Sequence, residues 1–213
     1  MSKNTKKGAL LVVSGFSGAG KGTVMKKLLE KYDNYALSIS MTTRAPRTGE
    51  ENGREYFFVD TATFEQKIEE NKVIEYAKYC DNYYGTPREY VEEQLEKGKD
   101  VILEIEIQGA LKVKEMFPDT VLLFIMPPSA EELHRRLVSR GTETAEVIKK
   151  RMDRAVEEAM FMEKYDYIVI NDDLDRCVEE LHGIVNTVHQ EAIRNTEKME
   201  TMKKELEELS KGE

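Results

Sequence analysis

The sequence predicts an α/β fold in which helices flank a five-stranded parallel sheet. Short apolar runs alternate along the chain with longer amphipathic stretches, as in repeated strand–helix units. Four of the five runs are almost continuously apolar, which is typical of parallel strands that are buried on both faces. The predicted strands are Ala9–Val13, Tyr35–Ser40, Val101–Ile107, Val121–Met126 and Tyr167–Ile170.

Amphipathic stretches lie between these strands and predict the helices of the fold. Each has apolar residues at helical spacing and follows one predicted strand before the next begins. The predicted helices are Gly22–Lys31, Gln108–Met116, Ala130–Ser139 and Ala145–Lys164.

About sixty residues between the second and third strands interrupt this alternation. They contain short aromatic strands, glycine turns and an amphipathic helix near Phe64–Glu70. This composition indicates a small mixed β subdomain inserted into the sheet fold. We therefore expect one domain over residues 1–213, with a core of 8–40 and 91–193 and an insertion at 41–90.

Composition and charge exclude several classes of function. The formal net charge of −9 argues against a general nucleic-acid binder, which needs a basic face. No apolar run approaches the ~20 residues of a membrane span, and the polar start "MSKNTKK" is unlike a secretory signal. Cys80 and Cys177 lie in ordinary patterns, which predicts free buried thiols in a reducing compartment and therefore a cytoplasmic protein. His134, His182 and His189 lack ligand-like spacing and are interpreted as surface or filler residues.

The segment "SGFSGAGKGT", Ser14–Thr23, lies between the first predicted strand and the first predicted helix. Glycines let successive backbone N–H groups point at one anion, and the helix N-terminus adds partial positive charge. This pattern is a P-loop, with Lys21 reaching the outer phosphates. Gly22 stands where a hydroxyl residue usually follows the lysine, and the Thr23 hydroxyl could still reach phosphate or metal-bound water. The residues predicted to bind ATP here are Gly15, Ser17, Gly18, Ala19, Gly20, Lys21, Gly22 and Thr23.

From Leu10 to roughly Ile193 the chain resembles the guanylate kinases. The signatures are "SGFSGAGKGT", "SISMTTRAPRTGEENGREYFFV", "VIEYAKYCDNYYGTP", "LEIEIQGA", "PPS", "RLVSRGTET" and "VINDDLD". The segment that fits TTRxPRxGExxGxxY downstream of a P-loop is the most specific of them. The resemblance implies a P-loop kinase that transfers the γ-phosphoryl group of ATP to GMP, and also to dGMP, with Mg²⁺, in GMP recycling.

Arg44 and Arg47 flank a proline three residues apart, near Tyr56. Two guanidinium groups beside a tyrosine suit a phosphate monoester, although solvated loop arginines are the alternative for an isolated pair. The resemblance implies that the GMP phosphate is held by Ser40, Arg44, Arg47, Tyr56 and Tyr84.

Guanine presents N1–H and N2–H₂ as donors and O6 as an acceptor, so a carboxylate and a hydroxyl can recognise it. Adenine lacks the N1–H and reverses the polarity at position 6, so it would leave buried groups unpaired. The resemblance implies that Glu75 and Thr86 have these two roles and that Glu104 also contacts GMP.

The apolar strand "VILEIEI" ends in two acids on one strand face, Glu104 and Glu106. A carboxylate at such a strand end can organise magnesium beside a P-loop. The family usually has aspartate at the position of Glu106, so this longer side chain is a departure. We expect Glu106 to contact both GMP and the metal, with Thr23 as the second metal-site residue.

A locally basic helix–break–helix over about 135–155 contains Arg136, Arg140, Arg151 and Arg154. Arginines on a mobile lid can neutralise the transferring group and exclude water when both substrates are bound. The resemblance selects Arg140 and Arg151, which act with Lys21 and Arg44, and places adenine near Asn171.

From Leu181 onwards apolar residues alternate four and three apart, which is coiled-coil spacing. We expect the first half to pack on the core and residues 194–213 to form a helical extension. That extension is either a solvated tail or a self-association helix that makes a homodimer. The heptad positions are Leu181, Val185, Val188, Ala192, Asn195, Met199, Met202, Leu206 and Leu209.

Two other functions fit parts of the pattern. A guanylate-kinase-like binding module uses the same fold to hold phosphopeptides, but such modules usually have a degraded P-loop, whereas Lys21 and Thr23 are present here. A kinase that acts on another nucleoside monophosphate or a phosphosugar is the third interpretation, and Glu75 with Thr86 argues against it. A P-loop of a switch or motor protein does not account for the arginine-rich insertion.

Overall fold

The computed structural model describes residues 7–139, 141 and 144–211. The described strands are β1 (Leu10–Gly15), β2 (Tyr35–Leu37), β3 (Met41–Thr42), β4 (Phe57–Phe58), β5 (Val73–Tyr79), β6 (Asn82–Pro87), β7 (Asp100–Glu104), β8 (Val121–Met126) and β9 (Tyr167–Ile170). The described α-helices are α1 (Lys21–Lys31), α2 (Thr61–Glu69), α3 (Arg88–Glu96), α4 (Ile107–Met116), α5 (Ala130–Ser139), α6 (Ala145–Ala159), α7 (Leu174–Val188) and α8 (Thr196–Lys211).

Five strands form a parallel sheet in the order β2-β7-β1-β8-β9, which confirms the predicted fold class. The register brings Val13 opposite Glu104, Gly15 opposite Ile125, and Met126 opposite Ile170. The carboxyl ends of the central strands therefore meet at one edge, where doubly wound sheets bind their ligands.

Alternate residues of the central strands pack on opposite faces of this sheet. In β1, Leu11 and Val13 contact the core formed with α1 and α7, whereas Leu10 and Val12 contact the core formed with α3 and α4. Burial on both faces explains why the strand is apolar throughout.

A second sheet of four strands, in the order β4-β3-β6-β5, confirms the predicted mixed β insertion. Its small core contains Met41, Phe64 and Val73. Helix α2 begins at Thr61, earlier than predicted, because the Asp60 carboxylate accepts a hydrogen bond from the Thr63 backbone N–H at 2.7 Å.

Three predicted element ends are wrong. The strand predicted to reach Ile107 ends at Glu104, and Glu106 is the N-cap residue of α4, so Glu104 and Glu106 do not share a strand face. The carbonyl of Ile105 instead accepts the Ser14 hydroxyl at 2.8 Å. The predicted strand Tyr35–Ser40 ends at Leu37, and the predicted helix to Lys164 ends at Ala159, before a 3₁₀ turn at Met162–Lys164.

The prediction of one continuous heptad helix from Leu181 is also wrong, because the helix ends at Val188. Asn195 is not a seam residue: its side-chain amide donates to the carbonyls of His189 at 2.9 Å and Glu191 at 2.8 Å, in the turn that follows α7. Helix α7 packs on the core as predicted, whereas α8 contains no buried residue. Within the described ranges, no helix has the length and apolar character needed to cross a membrane.

Candidate active site

The predicted P-loop is a tight turn between β1 and α1. Gly20 has φ +91°, a left-handed conformation that favours glycine, and a Cβ there would lie 2.6 Å from the Asn171 amide nitrogen. At Gly15 a Cβ would lie 2.0 Å from the carbonyl oxygen of Ile125. These two glycines are required by the close approach of neighbouring strands, and together they keep the turn compact.

Lys21 is held across this turn. Its ammonium donates to the carbonyls of Gly15 at 2.7 Å and Phe16 at 3.3 Å. Burial lowers the pKa of Lys21, whereas the carboxylates of Glu104, Glu158 and Glu106 raise it. The lysine lines a cavity of about 300 Å³ together with Gly15 and these carboxylates.

Asn171, at the end of β9, joins the P-loop to the rest of the sheet edge. It is 7% exposed, and its amide donates to the Ala19 carbonyl at 2.8 Å. Arg136 donates to the carbonyls of Asn171 at 2.7 Å and Ala19 at 3.2 Å. In this structure the Asn171 side chain therefore positions the loop.

Helix α6 reaches the same loop, because the Arg151 guanidinium donates to the Ser17 hydroxyl. This contact places one of the two predicted lid arginines beside the P-loop. The other, Arg140, lies outside the described residues. Thr23 is exposed in the first turn of α1, directly after Gly22.

A larger cavity of about 600 Å³ adjoins the Lys21 cavity. The two share Glu104, Glu106 and Glu158 in their walls. The larger one is also lined by Glu75 and Tyr84 of the inserted sheet and by Ser40, which directly precedes β3. A volume of this size suits a small-molecule ligand.

Glu75 and Thr86 meet on neighbouring strands of the inserted sheet. The Thr86 hydroxyl donates to the Glu75 carboxylate at 2.8 Å, and Thr86 is 1% exposed. Burial raises the pKa of Glu75, while the Thr86 hydrogen bond and the Lys112 charge lower it. Gly109 lies so close that a Cβ would come within 3.2 Å of the Glu75 Oε2 atom.

Arg44 is packed and paired, whereas Arg47 is exposed. The Arg44 guanidinium donates to both Glu50 oxygens at 2.9 Å and lies 5.4 Å from the centre of the Tyr56 ring. The Arg47 backbone N–H donates to the same Glu50 carboxylate at 2.7 Å, but the structure brings the Arg47 side chain to the surface. Tyr56 in turn contacts Tyr84, with ring centres 6.0 Å apart, and lines a cavity of about 170 Å³ with Ser40, Thr86 and Glu104.

Glu106 projects from the start of α4 toward helix α6. Its side chain makes no cap hydrogen bond, and it forms an ion pair with Arg154 instead. Within the described part of the chain, no group of three or more His, Cys, Asp or Glu side chains could hold a metal ion. Carboxylate and hydroxyl oxygens nevertheless suit Mg²⁺, which proteins often bind through one or two carboxylates plus substrate phosphates.

A family model described as guanylate kinase matches residues 7–188. The chain belongs to the guanylate kinase family. A guanylate kinase of Caldanaerobacter subterraneus subsp. tengcongensis is 56% identical over 180 residues, which cover 84% of this chain and 87% of that protein. One of Halalkalibacterium halodurans is 52% identical over 193 residues, covering 91% and 95%. The crystal structure of guanylate kinase from Anaplasma phagocytophilum is similar with a TM-score of 0.68 and 36% identity, over 89% of this chain and 90% of that one.

Several residues that line these cavities or contact predicted site residues were not predicted to act in this guanylate kinase site. Glu50 and Gly109 lie inside quoted signatures, so the motifs could have identified them. Arg154 lies near the end of the predicted lid and Glu158 follows it, and only the fold shows that α6 returns to the two adjoining cavities. The residues missed by sequence reasoning are Glu50, Gly109, Lys112, Arg136, Arg154 and Glu158.

Proposed function

We propose that this member of the guanylate kinase family transfers the γ-phosphoryl group of ATP to GMP, giving ADP and GDP, and accepts dGMP as well. The observation that supports this most directly is the pair of adjoining cavities. One contains Lys21 on a P-loop, and the other is lined by Glu75, whose carboxylate accepts a hydrogen bond from Thr86. Because they share Glu104 and Glu106, a phosphoryl group can pass from one to the other without leaving the site.

The proposed roles follow from the chemistry of each side chain. P-loop amides and Lys21 hold the ATP phosphates, and Arg44, with Tyr56, Tyr84, Ser40 and Arg47, holds the GMP phosphate. Glu75 accepts the N1–H and N2–H₂ groups of guanine, and the Thr86 hydroxyl turns its single proton from Glu75 to O6. No nucleophilic side chain is required, since a GMP phosphate oxygen attacks the γ-phosphorus and the ADP oxygen leaves.

Charge stabilisation in this scheme comes from arginines on both sides. Arg151, which contacts Ser17 of the P-loop, and Arg140 are proposed to neutralise the transferring group together with Arg44. Residues 135–155 are proposed to act as a lid that excludes water, and 41–90 as the GMP-binding insertion. Asn171 and Glu104 complete the ATP and GMP sites respectively.

Mg²⁺ is proposed to enter with ATP, with Thr23 and Glu106 as the protein groups of its site. The ion supplies neutralisation of the β- and γ-phosphate charge when bound. Thr23 has an exposed hydroxyl, and the carboxylate of Glu106 makes no cap hydrogen bond to α4. Both groups fit this use because they offer oxygen ligands near the P-loop.

A coupled assay of ADP formation tests the function. ATP and Mg²⁺ are supplied with GMP, dGMP, AMP, CMP or UMP as acceptor, and we expect turnover with GMP and dGMP only. Lys21→Met is the inactive control. Absence of turnover with every acceptor would favour the phosphopeptide-binding alternative, and a preference for another acceptor would overturn the assignment of Glu75 and Thr86.

The cytoplasm is the proposed location, since ATP and GMP are metabolites of that compartment and both cysteines are free. Cys177 is buried as predicted, whereas the prediction of a buried Cys80 is wrong, because Cys80 is exposed in the turn between β5 and β6. A homodimer through α8 is proposed from its apolar side chains, of which Met202 and Leu206 are 56% and 58% exposed. Sedimentation of the full chain at increasing concentration tests the dimer, and a monomer throughout would contradict it.

A further inference from the structure

Arg154 joins two carboxylates at the edge of the Lys21 cavity. Its Nε–H donates to Glu158 Oε1 at 2.9 Å, and its NH2 group pairs with Glu106 Oε2. The three side chains form what we call the Glu106–Arg154–Glu158 bridge. It connects helix α6 to the N-terminus of α4, where the proposed metal-site residue Glu106 lies.

We propose that Arg154 is the counterion of Glu106 in the protein without metal and that it releases the Glu106 carboxylate when Mg²⁺ enters with ATP. The inference rests on the proposed function, because it concerns the metal that accompanies ATP. Glu106 stands at an N-cap position, yet its carboxylate accepts no backbone hydrogen bond from α4 and is directed to Arg154.

Glu158 is the carboxylate with which Arg154 can pair once it has released Glu106. The Glu158 side chain is 13% exposed, and its Oε2 atom is buried without a hydrogen-bond partner among the described residues. An arginine that already gives Nε–H to one oxygen of a carboxylate can give a second N–H to the other, since the guanidinium and the carboxylate match in geometry. When Glu106 turns to the metal, Arg154 can therefore complete a bidentate pair with Glu158.

Charge balance favours the exchange. Around Lys21 lie the carboxylates of Glu104, Glu106 and Glu158, with Arg154 as the second cation. Burial raises the pKa of Glu158, and Arg154 opposes that shift through its hydrogen bond and its charge. An entering dication takes over the neutralisation of Glu106, which leaves Arg154 to Glu158.

Equilibrium binding without GMP tests the exchange separately from turnover. ATP affinity is measured by calorimetry in excess Mg²⁺ and in EDTA, and the ratio of the two affinities is the metal-dependent gain. Arg154→Gln is expected to increase this gain by about two- to fivefold, the range of one exposed ion pair. Lys150→Gln is the matched control, since Lys150 lies one turn earlier on α6 and pairs with Glu146.

A double-mutant cycle separates direct competition between Arg154 and Mg²⁺ for Glu106 from a general electrostatic effect of the Arg154 charge. In a Glu106→Gln background, Arg154→Gln is expected to leave the metal-dependent gain unchanged, because the competed carboxylate is absent. An equal effect in both backgrounds, or loss of ATP affinity with and without Mg²⁺, would overturn the inference. If the wild-type chain binds Mg²⁺ and ATP and phosphorylates GMP while the cycle shows no coupling, only this inference fails. If it binds no ATP, the proposed function fails with it.

Discussion

The half-buried carboxyl group of Glu75 illustrates how one residue connects stability with specificity. Its pKa is raised by burial, so the folded protein without ligand favours the neutral acid more than the unfolded chain does. Such a group contributes stability below its usual pKa of 4.5, and the contribution is lost as pH rises through the raised folded pKa. Only the ionised carboxylate can accept hydrogen bonds from both guanine donors. GMP binding is therefore expected to offset the stability that is lost when Glu75 ionises at neutral pH.

Glu75→Gln is therefore expected to separate these two effects. Without ligand, the variant should match the wild-type stability near pH 4 and exceed it near pH 8, as measured by denaturant unfolding, because glutamine stays neutral. With substrates, the KM for GMP should rise about 10- to 100-fold, which corresponds to one lost charge-assisted hydrogen bond of about 1.5–3 kcal/mol. An unchanged KM for GMP would refute the assignment of Glu75, and the KM for ATP is the internal control.

Gly22 and Gly20 provide a matched pair in the P-loop. A Cβ at Gly22 would meet nothing within 4 Å, whereas a Cβ at Gly20 would meet the Asn171 amide at 2.6 Å and sit at a positive φ. Gly22→Ala is expected to stabilise the protein by about 0.5–1 kcal/mol, because alanine favours the helix that has begun at Lys21. Gly20→Ala is expected to destabilise it by more than about 1 kcal/mol. Thermal unfolding measures both, and equal losses would contradict the open space at Gly22.

At the scale of elements, the core strands and most core helices were predictable because their apolar patterns reflect burial on two faces or one. Helix α3 was not predicted, although its Val91 and Leu95 are buried in the core. Ends were less predictable, because they depend on contacts from distant segments. Ile105 and Ile107 look like strand residues, yet the Ser14 hydroxyl binds the Ile105 carbonyl and α4 begins two residues later. The P-loop and the Glu75–Thr86 pair could be predicted from motifs, whereas the bridge to Glu158 depends on how α6 folds back.

Helix α8 makes the smallest contribution to the fold of any described helix, since it has no buried residue. The turn before it is different: Asn195 donates to two carbonyls after α7, and Arg194 donates to the Asp119 carbonyl at 2.6 Å. A chain that ends after Asn195 is expected to keep the full free energy of unfolding. A chain that ends after Gln190 is expected to lose about 1–2 kcal/mol, because these hydrogen bonds are removed.

Denaturant unfolding of the two truncated chains measures this difference at one low protein concentration, so that self-association does not contribute. A loss of stability in the chain that keeps Asn195 would show that α8 contacts the core. Equal stability of the two shorter chains would show that the turn adds nothing. Comparison of their sedimentation with that of the full chain addresses the dimer separately.

On the scale of the whole molecule, the two edges of the parallel sheet at which its strands begin and end differ in function. The carboxyl edge holds the P-loop, Glu104 and Asn171, where polar groups are left available for ligands. The amino edge is closed by Asp100, a buried acid at 2% exposure. Its carboxylate accepts the Ala9 backbone N–H at 2.8 Å and the Asn34 amide at 3.0 Å, and it lies 2.7 Å from His189 Nε2.

This cluster also corrects the interpretation of two histidines as surface or filler residues. His189 lies at the C-cap of α7 and contacts Asp100 at the start of β7. His182 stacks on Tyr32, with ring centres 3.7 Å apart, and its Nδ1 lies 2.8 Å from the Tyr35 hydroxyl. Sequence spacing could not show these contacts, because the partners lie on α1, β2 and β7, far away along the chain.

Asp100→Ala is expected to destabilise the protein by about 2–4 kcal/mol, because it leaves the buried Ala9 N–H and the half-buried Asn34 amide without their acceptor. The exposed neighbour Asp33 offers the matched control, and Asp33→Ala should change stability by less than about 0.5 kcal/mol. Since Asp100 lies at the edge of the sheet opposite the P-loop, the KM values for ATP and GMP of the folded variant should stay at the wild-type values. Unfolding in denaturant and steady-state kinetics at a temperature where the variant is folded measure the two effects. A large change in either KM with little loss of stability would show that the two edges of the sheet are coupled.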